Sequence, residues 1–168
     1  MGKRSIKENK NIFFESREAM GYSRAQASEL MGGISESSLE KMETGKTNIY
    51  PEDVVAMAKA YRKPELCNYY CTHECAIGRT SVPEVKISSL SEIVLAMLSS
   101  LNSLERQKNR LIEITADGEI TDDELPDFAS IQTQLEHIDV TVEALKLWVA
   151  NTIADGKIDK DKLDKLKK

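Results

Sequence analysis

The chain has 168 residues, room for one ordinary domain or two small ones, with 30% charged, 40% hydrophobic and only 5% aromatic residues, a balance that suits a soluble helical protein better than an aromatic-rich sandwich. A formal charge of −5 excludes a wholly basic nucleic-acid coat protein without excluding a local binding face. No apolar run reaches the length of a membrane span, the start lacks the apolar stretch of a signal peptide, and three Cys are an odd number for a disulfide framework, so no membrane contact and a cytoplasmic location are expected.

Charge is unevenly spread. Residues 1–66 hold 11 Lys/Arg and 10 Asp/Glu, whereas residues 67–168 hold 12 and 18. Residues 1–10 form a basic arm, with Lys3, Arg4, Lys7 and Lys10 against Glu8, so only the N-terminal part is placed to approach a polyanion. Residues 11–78 read as short helices with tight punctuation. Ile12 to Met20 is helical and stops at Gly21. Ser23 caps a helix from Arg24 to Met31 with Ala27, Leu30 and Met31 inward. Gly32-Gly33 breaks the chain, Ser35 starts a polar helix with Leu39 and Met42 inward, and Gly45 ends it. Pro51 heads a helix with Val54, Val55, Ala58 and Tyr61 on its apolar face, and Pro64 opens one more that runs into a Cys cluster and ends near Gly78.

Residues 79–88 read as a linker, with Pro83 disfavouring a helix. Residues 89–168 carry two long helical patterns. Leu90, Val94, Met97, Leu101, Leu104, Lys108 and Leu111 form one heptad seam, and Phe128, Ile131, Leu135, Ile138, Val142, Leu145, Val149 and Thr152 form the other. The short joint ADGEITDDEL (116–125), with Gly118 as stop and Thr121 and Glu124 as a capping box, makes the two helices antiparallel neighbours. Ile93, Leu95, Leu98, Ile112 and Trp148 widen the stripe beyond a two-helix seam. A second copy completing a four-helix bundle would cover them, so a homodimer through the hairpin is expected.

The run from Ser23 to Tyr61 carries Ser23 before one helix, the turn Gly33-Ile34-Ser35, Leu39 and Met42 inward, Glu43-Thr44-Gly45-Lys46 as an E-x-G-[KR] signature, and Pro51 heading a helix with AMAKAY. Over about residues 10–76 this resembles the helix-turn-helix domain of the Cro/repressor (Xre-like) family. The resemblance implies an all-α fold, with a lambda-repressor-like five-helix N-terminal domain before the long antiparallel hairpin. It also implies that the helix opened by Ser35 is the recognition helix. Glu36, Ser37, Glu40 and Lys41 would then face base edges, Ser35 or Ser38 would touch phosphate, Arg24 would grip a phosphate, and Lys46, Thr47 and Asn48 would contact the DNA backbone. Three features depart from the family pattern: an extra Gly33 in the turn, Ser28 for the usual Ala, and the acidic pair Glu36 and Glu40 on the recognition helix.

Cys67, Cys71 and Cys75 recur at four-residue spacing, with His73 off their line. A Cys3His zinc site and an iron–sulfur cluster with three Cys ligands are both chemically conceivable. A straight helix, however, spreads the outer thiols about 12 Å apart at about 1.5 Å per residue, so three small apolar core residues and no cofactor are the favoured reading. The segment 113–124 echoes an EF-hand loop, but Glu113 and Thr115 are poor ligands, and the second echo at 154–163 puts Lys162 where a bidentate carboxylate belongs, which disfavours calcium. No phosphate loop, nucleophile elbow or metalloprotease pair is present, so no enzyme is expected. The expected function is a DNA-binding transcriptional regulator of bacterial or phage type, a repressor binding a pseudo-palindromic operator as a dimer. The alternatives are an antitoxin-like or adaptor interaction module with a vestigial DNA-binding domain, and a regulator switched by metal or thiol chemistry.

Overall fold

The computed structural model describes residues 10–166, and every regular element among them is a helix. In chain order these are α1 (Ile12–Ala19), α2 (Arg24–Met31), α3 (Glu36–Glu43), α4 (Pro51–Ala60), α5 (Glu65–His73), α6 (Gly78–Ser81), α7 (Leu90–Ile114), α8 (Leu125–Ala154) and α9 (Lys160–Leu166). All but residue 10 of the basic arm lies outside the described residues. Among the described residues two compact units emerge, residues 10–82 together with 151–166, and residues 83–150. The division falls inside the expected linker 79–88, while the last stretch of the expected hairpin domain groups with the first unit.

In the first unit the helix starts follow the capping residues. Asn11 Oδ1 accepts the Phe14 N–H at 3.0 Å, Ser23 Oγ accepts that of Gln26 at 3.2 Å, and Ser35 Oγ accepts that of Ser38 at 3.1 Å. Gly32 ends α2 in the left-handed region at φ 68°, a conformation costly for any residue with a Cβ. Phe13, Ala27, Ile34, Leu39, Met42, Val54, Met57, Ala58, Tyr61 and Leu66 form one buried core. Two expected core positions point the other way: Leu30 and Val55 are exposed, each displaced by an inward neighbour, Met31 and Val54, that fills the same stretch of core. The helix expected to run from Pro64 to near Gly78 stops at His73, and a separate turn, α6, reaches into the expected linker. Gly78 permits that turn: a Cβ there would lie 2.2 Å from the Cys71 carbonyl oxygen.

In the second unit α7 and α8 are antiparallel. Arg110 Nε donates to Asp127 Oδ2 at 2.7 Å, and one turn earlier on α7 Gln107 Nε2 donates to Ser130 Oγ, one turn later on α8, at 3.0 Å. With 25 and 30 residues the helices are about 38 Å and about 45 Å long at about 1.5 Å per residue. The expected seam is corrected by one position in each heptad. Met97, Leu104 and Leu111 are sheltered as expected, but Leu90, Val94 and Leu101 are exposed, and their places are taken by Ile93, Ser100, Gln107 and Ile114. On α8 Thr141 is buried and Leu135 is exposed. α7 is apolar over two adjacent stripes, so periodicity alone does not choose between them; the polar pairs Gln107–Ser130 and Arg110–Asp127 accompany the stripe that faces α8. The joint 115–124 is a turn held by its own carboxylates, Asp117 Oδ1 accepting the Glu119 N–H and Glu124 Oε2 accepting the Thr121 N–H and hydroxyl.

Candidate nucleic-acid interface

The helix-turn-helix is α2, the turn 32–35 and α3. Ile34 is the buried residue of the turn, and the Ser28 hydroxyl donates to the Ile34 carbonyl at 2.6 Å. An Ala at position 28 has no such bond, so the Ser that departs from the family pattern pins the turn that carries the extra Gly33.

α3 buries Leu39, Met42 and Glu43 and turns Glu36, Ser37, Glu40 and Lys41 to solvent. Ser35 is exposed at the helix start. Ser38 is half-buried, and its hydroxyl lies 2.9 Å from that of Ser35, so both hydroxyls are engaged in the cap. Lys46, Thr47 and Asn48 are exposed in the loop before α4. The α3 start and this loop are thus both exposed and polar, and the Lys46 N–H, donating to the Lys41 carbonyl at 2.8 Å, ties the loop to the end of α3. Tyr50, which the sequence reading did not single out, extends it: the residue is 65% exposed, and its N–H donates to Asp53 Oδ2 at 3.3 Å at the start of α4.

Beneath this surface lies an ion network. Glu43 is fully buried and accepts from Arg17 twice, from Nε at 2.5 Å and Nη2 at 3.0 Å, and from Arg24 Nε at 2.8 Å. Arg17 also donates through Nη1 to Glu18 and to the Tyr22 carbonyl. Burial works to lower the Arg17 pKa, but the bond and charge of Glu43, followed by those of Glu18, outweigh it and hold the guanidinium above its ordinary value. One carboxylate thus joins α1, α2 and α3. Arg24 keeps about a third of its side chain exposed while one edge of its guanidinium rests on Glu43. The sequence signal for this site was present. Phe13, Ser16 and Arg17 share the inward face of α1, as Leu39, Met42 and Glu43 share that of α3, and a carboxylate on a core face requires a cation.

The Cys cluster lies on α5 and just beyond it. Cys67, Cys71 and Cys75 are free and half-buried. Burial first, and the neighbouring Cys71 second, push the Cys67 thiol up, away from thiolate character. The His73 ring stacks on Tyr69 with centroids 4.3 Å apart, and Cys75 Sγ accepts the Gly78 N–H at 3.4 Å. Among the described residues no group of three His, Cys, Asp or Glu side chains converges on a point suited to a metal.

No helix among the described residues is long and apolar enough to cross a membrane. The helix-turn-helix family model matches residues 15–66, the segment from α1 to the start of α5. No curated protein and no solved structure matches the chain. Family match, capped helices, pinned turn and polar α3 face coincide on one segment: residues 15–66 are a helix-turn-helix domain of the Cro/C1 type, a family of DNA-binding transcription regulators.

Proposed function

We propose that the chain is a cytoplasmic repressor that acts by occupying a pseudo-palindromic operator as a homodimer. The observation that carries the reading is the exposed face of α3, where Glu36, Ser37, Glu40 and Lys41 project from a helix whose opposite face is locked into the core. A helix fits the major groove, and short polar side chains near its start reach base edges. Glu36 and Glu40 accept from cytosine N4, which makes a C-containing half-site the natural target. Arg24, Ser35, Ser38, Lys46, Thr47 and Asn48 serve the phosphates, and the cations among them offset the repulsion that two carboxylates bring near DNA.

The test is selection of bound duplexes from a random pool, followed by titration of the winner at two salt concentrations. A two-fold symmetric site with steep salt dependence supports the reading. Lys46→Ala should weaken binding across all sequences and reduce the salt slope by about 2, one phosphate contact from each copy of the dimer, whereas Lys41→Ala should weaken binding and relax selection at the base it faces. No enriched sequence from a folded chain overturns it and moves the search to protein partners of the hairpin.

A further inference from the structure

Arg24 is the first residue of α2 and Glu43 the last of α3, and the two side chains meet, Arg24 Nε donating to Glu43 Oε2 at 2.8 Å. A guanidinium is a rigid planar fork, so a bond at Nε fixes its plane. The edge formed by Nη1 and Nη2 is left without a hydrogen bond among the described residues. The carboxylate does not depend on this arginine. Arg17 already holds both of its oxygens, Nε on Oε1 and Nη2 on Oε2, from a side chain that is 4% exposed, while its Nη1 is taken by Glu18 and the Tyr22 carbonyl. Arg24, by contrast, keeps 32% of its side chain exposed. A further bond from a partly exposed cation to a carboxylate that is already paired adds little to stability. What it does is fix the direction of the fork.

We infer that Glu43 is a positioning residue for DNA binding: it holds Arg24 so that the Nη1–Nη2 edge is pre-set to grip two oxygens of one backbone phosphate. This inference rests on the DNA binding of the proposed function and names the residue that sets one of its phosphate contacts. A surface arginine that rotates freely has to be ordered when it grips a phosphate, whereas this one is ordered beforehand. Glu43 belongs to α3, so a phosphate held by Arg24 is tied through one carboxylate to the helix that faces the bases. The contact then fixes the register of α3 on the duplex as well as adding affinity. Lys46 stands at the same end of α3, its N–H bonded to the Lys41 carbonyl at 2.8 Å, and supplies a second cation there. A lysine in place of Arg24 keeps the charge but not the function, because an ammonium turned to Glu43 has no rigid second edge to aim.

Titrations of the full chain against its selected duplex at several salt concentrations test this with Arg24→Ala, Arg24→Lys and Glu43→Gln. Arg24→Ala should keep a urea midpoint near that of the unaltered chain. It should raise Kd by about tenfold or more and reduce the salt slope by about 2, one contact from each copy of the dimer. Arg24→Lys should lose nearly as much although it keeps the charge. In Glu43→Gln two guanidinium groups compete for one amide oxygen, so there the added cost of Arg24→Ala should fall below about threefold. Arg24→Lys binding like the unaltered chain overturns the inference, since a charge alone would then suffice, and this arm stands even where Glu43→Gln does not fold. An undiminished cost of Arg24→Ala on the Glu43→Gln background overturns it too. So does a fold weakened by Arg24→Ala as strongly as by Glu43→Gln, which would make Arg24 a structural counter-ion. In each of these cases DNA binding itself stands, whereas a folded chain that binds no duplex overturns both readings.

Discussion

Glu43 and Tyr61 carry the chemistry that is buried in the DNA-binding unit. Removing the charge of Glu43 leaves the buried Arg17 with only the half-exposed carboxylate of Glu18 as counter-ion, so Glu43→Gln should destabilise the fold by about 3 kcal/mol, read by urea denaturation. Tyr61 is fully buried with no hydrogen-bond partner for its hydroxyl among the described residues, and burial, reinforced by the charge of Glu43, pushes its pKa from 10.0 up to about 12. The folded chain therefore holds a phenol proton that the unfolded chain releases above pH 10. This contribution is intact below about pH 10 and lost progressively as the pH climbs towards 12, by about 2 kcal/mol. Tyr61→Phe should leave stability at pH 7 unchanged or raised and make the alkaline limb of a thermal melt profile shallower. A Phe variant with the same alkaline limb would assign that limb to other groups. At this scale the sequence disclosed which residues face outward on α3 from two inward anchors, Leu39 and Met42. It marked Arg17 and Glu43 as inward charges without joining them, because they lie 26 residues apart and only the fold brings them together.

Among the elements, the short helices were legible because each carries its own punctuation: Ser23 and Ser35 as caps, Gly21 and Gly45 as stops, Pro51 at a first turn. α5 and α6 were not, because no cap or glycine marks the end of α5 at His73 and the turn that follows packs back on it. α6 lies so close to the end of α5 that only a hydrogen fits between Gly78 and the Cys71 carbonyl. Gly78→Ala should displace that turn and lower stability by about 1–3 kcal/mol, with faster amide exchange at Arg79 to Val82 as the local signature. The hairpin was legible as two helices and a turn, yet its rotation was not. Both stripes of α7 are apolar, and the inward one carries Ser100 and Gln107 among Ile93, Leu104 and Ile114, so hydrophobicity alone does not tell the two apart. Leu135 and Leu101 follow the same logic from the other side, since periodicity assigns them to a seam whereas they face solvent.

For the molecule as a whole, the two units divide the labour along the charge asymmetry of the sequence. The near-neutral first part holds the helix-turn-helix, and the acidic second part holds the hairpin. In the proposed dimer, two α3 helices enter successive major grooves about 34 Å apart, so inserting five base pairs between selected half-sites should abolish tight binding, while a full helical turn restores part of it. A gel-shift series over spacer length checks this, and binding indifferent to spacing would mean that each domain reads DNA alone. The salt slope change of Lys46→Ala belongs to the same scale, because it counts phosphate contacts of the assembled complex rather than the strength of any one bond.

The polar seam of the hairpin has a consequence for abundance. A helix pair that encloses Ser100, Gln107 and Thr141 beside Ile93, Ile114 and Ile131, and leaves Leu98, Leu101 and Leu135 outside, buries only part of its apolar surface by closing on itself. In the proposed dimer its order depends on how many copies are present, because association would supply burial that folding alone does not. A newly made or diluted chain would show its leucines to proteases and chaperones until it met another, so the pool of regulator would be trimmed from below, with scarce chains removed and paired ones spared.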